Sequence, residues 1–347
     1  MRSAAPRLGL LLAAIWLWAS GCAAAEPPRR AQPSRPAPAA KARPPQGRSV
    51  SITEVAAKLG LKGKWSEGAK AMVLTDGERR LELEADSREC MVNGLRVYLG
   101  DPVSSRRGTL HVTETDFEDC LLPLLRPALI ARRPPRPRLV AIDAGHGGND
   151  QGTENTRLGL KEKVFTLDVA LRLKQLLEAR GYRTVLTRDA DERVENPQRA
   201  LIARHAGADL FVSIHFNSLY PDTRTTGAEV FTFTRAGQRS DSSRGFGQPD
   251  DTEDDAAPVN RFDPWSSVLA HALHRHTLGA LRLPDRGQKT KHLGMLRSLD
   301  CPAALVESGF LSNEDEARKI ATPAYRQKIA EALADAIDEY SRIAGGK

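Results

Sequence analysis

From Arg138 onward, short apolar runs alternate with longer stretches whose apolar residues recur every three or four positions. Leu139–Ile142, Thr184–Leu186, Leu210–Ile214, Ala228–Phe233 and Ala303–Val306 have the length of buried strands. Between the first two runs, Lys161 to Arg180 puts Phe165, Val169, Leu173, Leu176 and Leu177 on one helical face and stops at Gly181. Pro197 to Ala206 reads as a second helix, and Tyr325, Ile329, Leu333, Ile337 and Tyr340 stripe a third. Strands alternating with helices predict an α/β fold for residues 138–345, a single mixed, largely parallel sheet flanked by helices.

The segment before it has a different rhythm. Ser51 to Gly60 has an N-capping serine and a glycine stop, which predicts a short helix. Alternating runs follow at Ala71–Leu74, Arg80–Leu83, Met91–Leu99 and Thr109–Thr113, with Asn93-Gly94 as a turn signal. Asp116 to Leu125 closes the segment as a helix. Residues 49–130 are therefore expected to form a small α+β domain, set off by Pro134, Pro135 and Pro137. It contains no cluster of catalytic residue types, which suggests a scaffold or wall-binding role. With its Val-Asn-Gly turn it resembles the small domains named after the N-terminal domain of copper amine oxidases.

Charge matters here because of where it sits. The 347-residue chain carries a net +7. The first 50 residues hold Arg2, Arg7, Arg29, Arg30, Arg35, Lys41, Arg43 and Arg48 against Glu26 alone, which accounts for all of it. The remaining body is neutral, so it lacks the basic face that nucleic acid requires. Arg2 and Arg7 precede an apolar run, Leu8 to Trp18, too short to span a bilayer. Residues 1–22 thus read as a signal peptide, ending in Ala19-Ser20-Gly21-Cys22. Small residues before Cys resemble a bacterial lipobox, which implies lipidation of Cys22. Cleavage after Ala23-Ala24-Ala25, giving a secreted soluble protein, stays open. Residues 23–48 are rich in Pro, Ala and Arg and are expected to form an extended tether. Cys90 and Cys120 share the small domain, and the sequence leaves both their paired and free forms open.

The polar residues of the α/β segment fall in one informative place. His146, His215 and Glu307 each follow closely on the last apolar residues of a predicted strand. Parallel strands would bring all three into the crevice beyond the carboxyl edge of the sheet. Glu162, in the first turn of the next helix, reaches back toward that crevice. Two imidazoles and a carboxylate form a donor set suited to zinc, with a position left for water, and another carboxylate can serve as general base. Gly145, Gly147 and Gly148 suit a sharp turn close to a ligand. Taken singly, each residue also has an ordinary reading as a turn, a core histidine or a helix-capping acid. His271-x-x-His274-x-His276 has the look of a second metal cluster, but His271 and His274 share a helix face with apolar neighbours, which favours a core role.

The runs Ala141-Ile142-Asp143-Ala144-Gly145-His146-Gly147-Gly148, Leu210 to Ser218 and Ala304 to Asn313 closely resemble the zinc-dependent N-acetylmuramoyl-L-alanine amidases of bacterial cell walls. Thr187-Arg188, Arg199, Leu283 to Gly287 and Leu296-Arg297 match as well, in the family's order. Arg204 stands where that family often has Asn. The resemblance implies one zinc ion held by His146, Glu162 and His215, with Glu307 as the catalytic carboxylate. Asp143 is expected to accept a hydrogen bond from a ligand histidine or to cap its turn, and Asn217 to orient substrate. The implied reaction cuts the amide between the lactyl group of N-acetylmuramic acid and L-alanine of the stem peptide. A zinc peptidase acting within the stem peptide, and a non-catalytic wall-binding or activator protein, are the alternatives.

Peptidoglycan is the expected substrate and a lipid on Cys22 the expected membrane contact, in the periplasm or at the outer membrane. A protein activator is a further partner that the sequence leaves open. Thr234 to Pro264 is a polar insertion carrying Asp250-Asp251-Thr252-Glu253-Asp254-Asp255. Some relatives place an inhibitory helix in this region, so it reads either as a surface loop or as an autoinhibitory lid.

Overall fold

The computed structural model describes residues 48–66, 71–240, 252–253 and 256–346. The signal segment with Cys22, the tether and most of the acidic insertion lie outside the described residues.

In the N-terminal module, β1 (Ser49–Ser51) leads into α1 (Ile52–Leu59). Ser51 and Glu54 form a capping box, and Gly60 at φ 66° ends the helix in the left-handed region. A meander follows: β2 (Lys62–Trp65), β3 (Ala71–Thr75), β4 (Arg80–Glu84), β5 (Glu89–Val92) and β6 (Leu95–Tyr98). Asn93 and Gly94, both at positive φ, make the turn from β5 to β6. β8 (Thr109–Thr113) pairs with β1 on one side and β7 (Ser104–Arg106) on the other in a separate three-stranded sheet. The expected closing helix is broken into short pieces, α2 (Glu114–Asp116), a π turn at Phe117–Leu121 and α3 (Leu122–Leu125). Cys90 and Cys120 are buried free thiols in this module's core. Burial pushes the Cys120 thiol up to about 11.

The α/β part begins with β9 (Leu139–Ala144), then the two-residue strands β10 (Glu154–Asn155) and β11 (Leu160–Lys161). α4 (Glu162–Ala179), β12 (Arg183–Leu186), α5 (Asn196–Ala206), β13 (Leu210–Asn217) and β14 (Ala228–Phe233) follow. β15 (Gln238–Arg239) and β16 (Thr252–Glu253) pair within the insertion. The chain closes with α6 (Asp263–Leu281), β17 (Asp285–Lys291), β18 (Ala303–Phe310), α7 (Glu314–Ile320) and α8 (Pro323–Ala344). As expected, β12, β9, β13 and β18 are parallel neighbours, while β14 runs antiparallel to β18. β9, β13, β14 and β18 are buried along nearly their whole length, so each has an apolar layer on both faces. One layer is formed with α4, α6 and α8, and the other is built from α5 and the segment around Met295 and Leu299.

The two parts share a sheet. β17 pairs with β14 on one side and with β6 on the other, giving the order β12-β9-β13-β18-β14-β17-β6-β5-β4-β3-β2. The β17–β6 pairing rests on one register pair, Gln288 with Val97. Arg96 N of β6 also donates to Asp285 Oδ2 of β17 at 2.8 Å. Each part keeps its own hydrophobic core, and polar contacts cross between them. Gln238 Nε2 donates to Thr113 Oγ1 at 3.2 Å, and Ser267 Oγ to the Asp119 carbonyl at 2.7 Å.

Candidate active site

The site lies where β9, β13 and β18 end. β9 runs into Gly145 and then into a turn in which His146, Gly147 and Gly148 have φ of 62°, 130° and 58°. Glycine accommodates this backbone readily, whereas His146 in the left-handed region is strained, and its surroundings must hold it there. Arg199 Nη2 does so by donating to the His146 carbonyl at 2.9 Å. Arg188, fully buried, donates to the Ala144 and Gly145 carbonyls, both at 2.9 Å. Both arginines sit among the matched motifs, but their role as a clamp under the loop had no sequence signal beyond that match.

His146, Glu162 and His215 converge, each offering one ligand atom within 4.8 Å of the others. Glu162, at the start of α4, is almost fully buried. Its Oε2 lies 3.2 Å from His146 Nε2 and its Oε1 3.0 Å from His215 Nδ1. The Thr153 and Phe216 amides also donate to this carboxylate, at 2.8 and 3.0 Å. Burial opposes its charge, yet the two imidazoles hold Glu162 well below the usual carboxylate range. For His146, burial disfavours the charged ring, but hydrogen bonds with Glu162 and Asp150 outweigh it and raise its pKa. Two glycines make room for the rings. A Cβ on Gly145 would collide with the His215 imidazole, and one on Gly152 would come within 2.6 Å of Glu162 Oε2 and His146 Cδ2.

Glu307 on β18 is the direct register partner of His215 across the parallel pair. It lines an open groove of about 470 Å³ together with the three converging residues, Asn217, Leu293, Met295 and Leu305. Its Oε2 is buried without a hydrogen-bond partner among the described residues. Burial pushes Glu307 well above the ordinary glutamate value, and the charges of Glu162 and Glu229 add to the push. Glu229, which the sequence reading missed, pairs in register with Glu307 from the other side. It accepts hydrogen bonds from Asn217 Nδ2 and, at 2.7 Å, from Lys289 Nζ. Asn217 thus borders the groove with its amide committed to Glu229.

Asp143 does not reach a ligand histidine. Its oxygens accept from Thr187 Oγ1, Arg199 Nη1 and Ser213 Oγ, each at 2.6 Å, because its side chain points into the sheet's packed face and away from the crevice. It supports the site indirectly, by fixing Arg199 under the His146 loop. The carboxylate beside the His146 ring is instead Asp150, whose Oδ2 lies 3.0 Å from His146 Nδ1. Its position four residues after His146 was the available signal. The other histidines do not converge. His274 Nε2 bonds Asp285 Oδ1 and His276 Nε2 bonds Glu339 Oε2, both at 2.7 Å.

The donor set fits a zinc ion. Two imidazole nitrogens and a carboxylate are gathered in a polar pocket, one ring is oriented by a second carboxylate, and a further carboxylate stands beside them with an unpaired oxygen.

Residues 46–118 match the copper amine oxidase N-terminal domain, and residues 140–339 match the family described as N-acetylmuramoyl-L-alanine amidase. AmiB of Haemophilus influenzae, a probable N-acetylmuramoyl-L-alanine amidase, is 34% identical over 56% of this chain and 50% of its own length. AmiA of Escherichia coli, an N-acetylmuramoyl-L-alanine amidase, is 31% identical over 58% of this chain and 76% of its own. The solved catalytic domain of the amidase CwlV from Paenibacillus polymyxa superposes with a TM-score of 0.48 at 29% identity, over 58% of this chain and 97% of that domain. With more than half of its residues inside the amidase match, the chain belongs to the N-acetylmuramoyl-L-alanine amidase family.

Proposed function

We propose that the protein is a zinc-dependent N-acetylmuramoyl-L-alanine amidase that frees stem peptides from the glycan strands of peptidoglycan. The observation that carries this reading is the convergence of His146, Glu162 and His215 beside a buried carboxylate, Glu307, with an unpaired oxygen. His146, Glu162 and His215 would hold a zinc ion, which would supply Lewis-acid polarisation of the amide carbonyl and a water of lowered pKa. Glu307 accepts the proton of the attacking water as the new C–O bond forms. It then returns that proton to the L-alanine nitrogen as the C–N bond breaks, leaving a lactyl carboxylate and a free amine. A carboxylate whose proton affinity is raised by burial and by neighbouring charge suits this alternation between base and acid. Asp150 orients the His146 ring, and the Arg188 and Arg199 clamp fixes the backbone that carries it. Asn217, with its amide held by Glu229 and the Ser218 amide, forms a fixed part of the groove wall against which the substrate lies.

In the same reading, residues 49–130 are a scaffold that prolongs the catalytic sheet, supported by the β17–β6 pairing. The basic n-region, apolar run and Ala19-Ser20-Gly21-Cys22 support an envelope enzyme anchored through lipid on Cys22. Among the described residues no helix is long and apolar enough to cross a membrane.

The test is mass spectrometry of products released from purified peptidoglycan, with and without a zinc chelator and beside Glu307→Ala. Free peptides beginning with L-alanine, absent with chelator and with the variant, are expected. Products cut inside the stem peptide would replace the amidase with a peptidase.

A further inference from the structure

β17 carries two lysines on one face of the sheet, and they are not in equivalent positions. In register with β14, Lys289 stands opposite Phe231 and Lys291 opposite Phe233. Alternation along β14 puts these two rings on the same face as Glu229, the cross-strand partner of Glu307. Lys289 is neutralised locally by Glu229 at 2.7 Å. Lys291 has no carboxylate partner among the described residues. Its ammonium lies 5.5 Å from the centroid of Phe231, two residues nearer the catalytic end of β14 than its own register partner. The side chain therefore leans along the sheet toward the groove. Leu305, opposite Phe231, lines that groove with Leu293 and Met295.

A lysine in this place works against the catalytic base. Burial and the charges of Glu162 and Glu229 push Glu307 up, and the Lys291 charge opposes them. Phe231 holds the ammonium by its ring face, and Lys291 itself is half-buried, with part of its surface exposed. The groove's substrate has an anion on one side of the scissile bond only. The glycan strand has its lactyl carboxyl tied up in the amide, whereas the stem peptide carries free carboxylates.

We propose that Lys291 is a specificity residue that binds the free α-carboxylate of the stem-peptide residue that follows L-alanine, on the side of the scissile amide that departs with L-alanine. This rests on the amidase reading and assigns its peptide subsite.

The experiment is calorimetric titration of the full zinc-loaded chain with two dipeptides, L-alanyl-D-glutamate and L-alanyl-D-isoglutamine. They differ only in a carboxylate against a carboxamide. The wild type is expected to prefer the carboxylate by about tenfold, the scale of one charge-assisted contact. Lys291→Gln should erase that preference, and Lys291→Arg should keep it. A preference that survives in Lys291→Gln, or is missing from the wild type, overturns the proposal. Neither dipeptide contains the scissile bond, so the result is independent of turnover. A chain that discriminates yet leaves muramoyl peptides uncut keeps the subsite and loses the amidase reading. A chain that cuts them without discriminating does the reverse.

Discussion

His215 and Glu307 are register partners on adjacent parallel strands, so the proposed metal-ligating ring and the proposed proton acceptor are held side by side by one set of ladder hydrogen bonds. The sheet itself sets the spacing between them, with Glu229 extending the row on the next strand. Replacing Glu307 by Gln keeps the shape and removes the base. Turnover of a muramoyl-peptide substrate should fall by about 10²- to 10⁴-fold. Zinc content by atomic emission should stay at one per chain. A variant that loses its zinc together with its activity would make Glu307 a ligand, not a base.

Gly145 has a packing role that follows from its missing side chain. An added Cβ would collide with the His215 ring, which strand β13 cannot move aside. Gly145→Ala should therefore weaken zinc binding by about 10–100-fold, the scale seen when a ligand's orientation is disturbed. Competition against a chromogenic chelator measures this directly. Wild-type affinity in the alanine variant would show that the ring has slack.

Much of the site was legible because chemistry-bearing residues followed apolar runs. His146 follows β9, while His215 and Glu307 stand within β13 and β18, which run on past the apolar runs to Asn217 and Phe310; a parallel sheet collects such residues toward one edge. β17 was not legible as a strand. Asp285–Lys291 contains no apolar side chain, and its lysines pack by lying over Phe231 and Tyr98. That packing depends on neighbours far away in the chain, so no local pattern could reveal it. The continuous sheet joining the two parts was hidden for the same reason. Asp143 failed differently. A carboxylate beside a ligand histidine in sequence gives no sign that its side chain turns to the other face and meets Arg199.

That buried pair makes an acid-stability prediction. Asp143 and Arg199 lie 2.6 Å apart with 0% and 4% of their side chains exposed. Burial disfavours the Asp143 charge, but Arg199, Ser213 and Thr187 outweigh it and hold its pKa below the unfolded value of 3.8. Its contribution is thus present in full above the unfolded value and is lost as pH falls through the lower folded value. Asp143→Asn should cost about 3–5 kcal/mol near neutral pH, because it leaves a buried guanidinium without its counter-charge. In urea unfolding, the gap between wild type and variant should hold constant from about pH 5 to 7 and narrow below about pH 4. A gap that persists undiminished into strong acid would mean the pair is not what the charge stabilises.

Asp263, at the start of α6, should behave with the opposite sign. It is 5% exposed, accepts a hydrogen bond from Asn260 Nδ2 at 3.0 Å, and shares its surroundings with Arg235 and Asp119. Burial pushes its pKa up to about 8; Arg235 opposes that push and Asp119 reinforces it. Between the unfolded value of 3.8 and a folded value of about 8, the native chain holds a proton that the unfolded chain has released. Stability from this group therefore falls steadily as pH rises through that window and levels off above it. Asp263→Asn cannot ionise, so its melting temperature should match the wild type below about pH 3.8 and exceed it progressively from there up to about pH 8. Melting curves of both proteins across that range decide the matter. Should the difference between the two proteins stay constant from about pH 5 to 8, Arg235 holds Asp263 ionised and the junction beneath α6 contains a true buried ion pair.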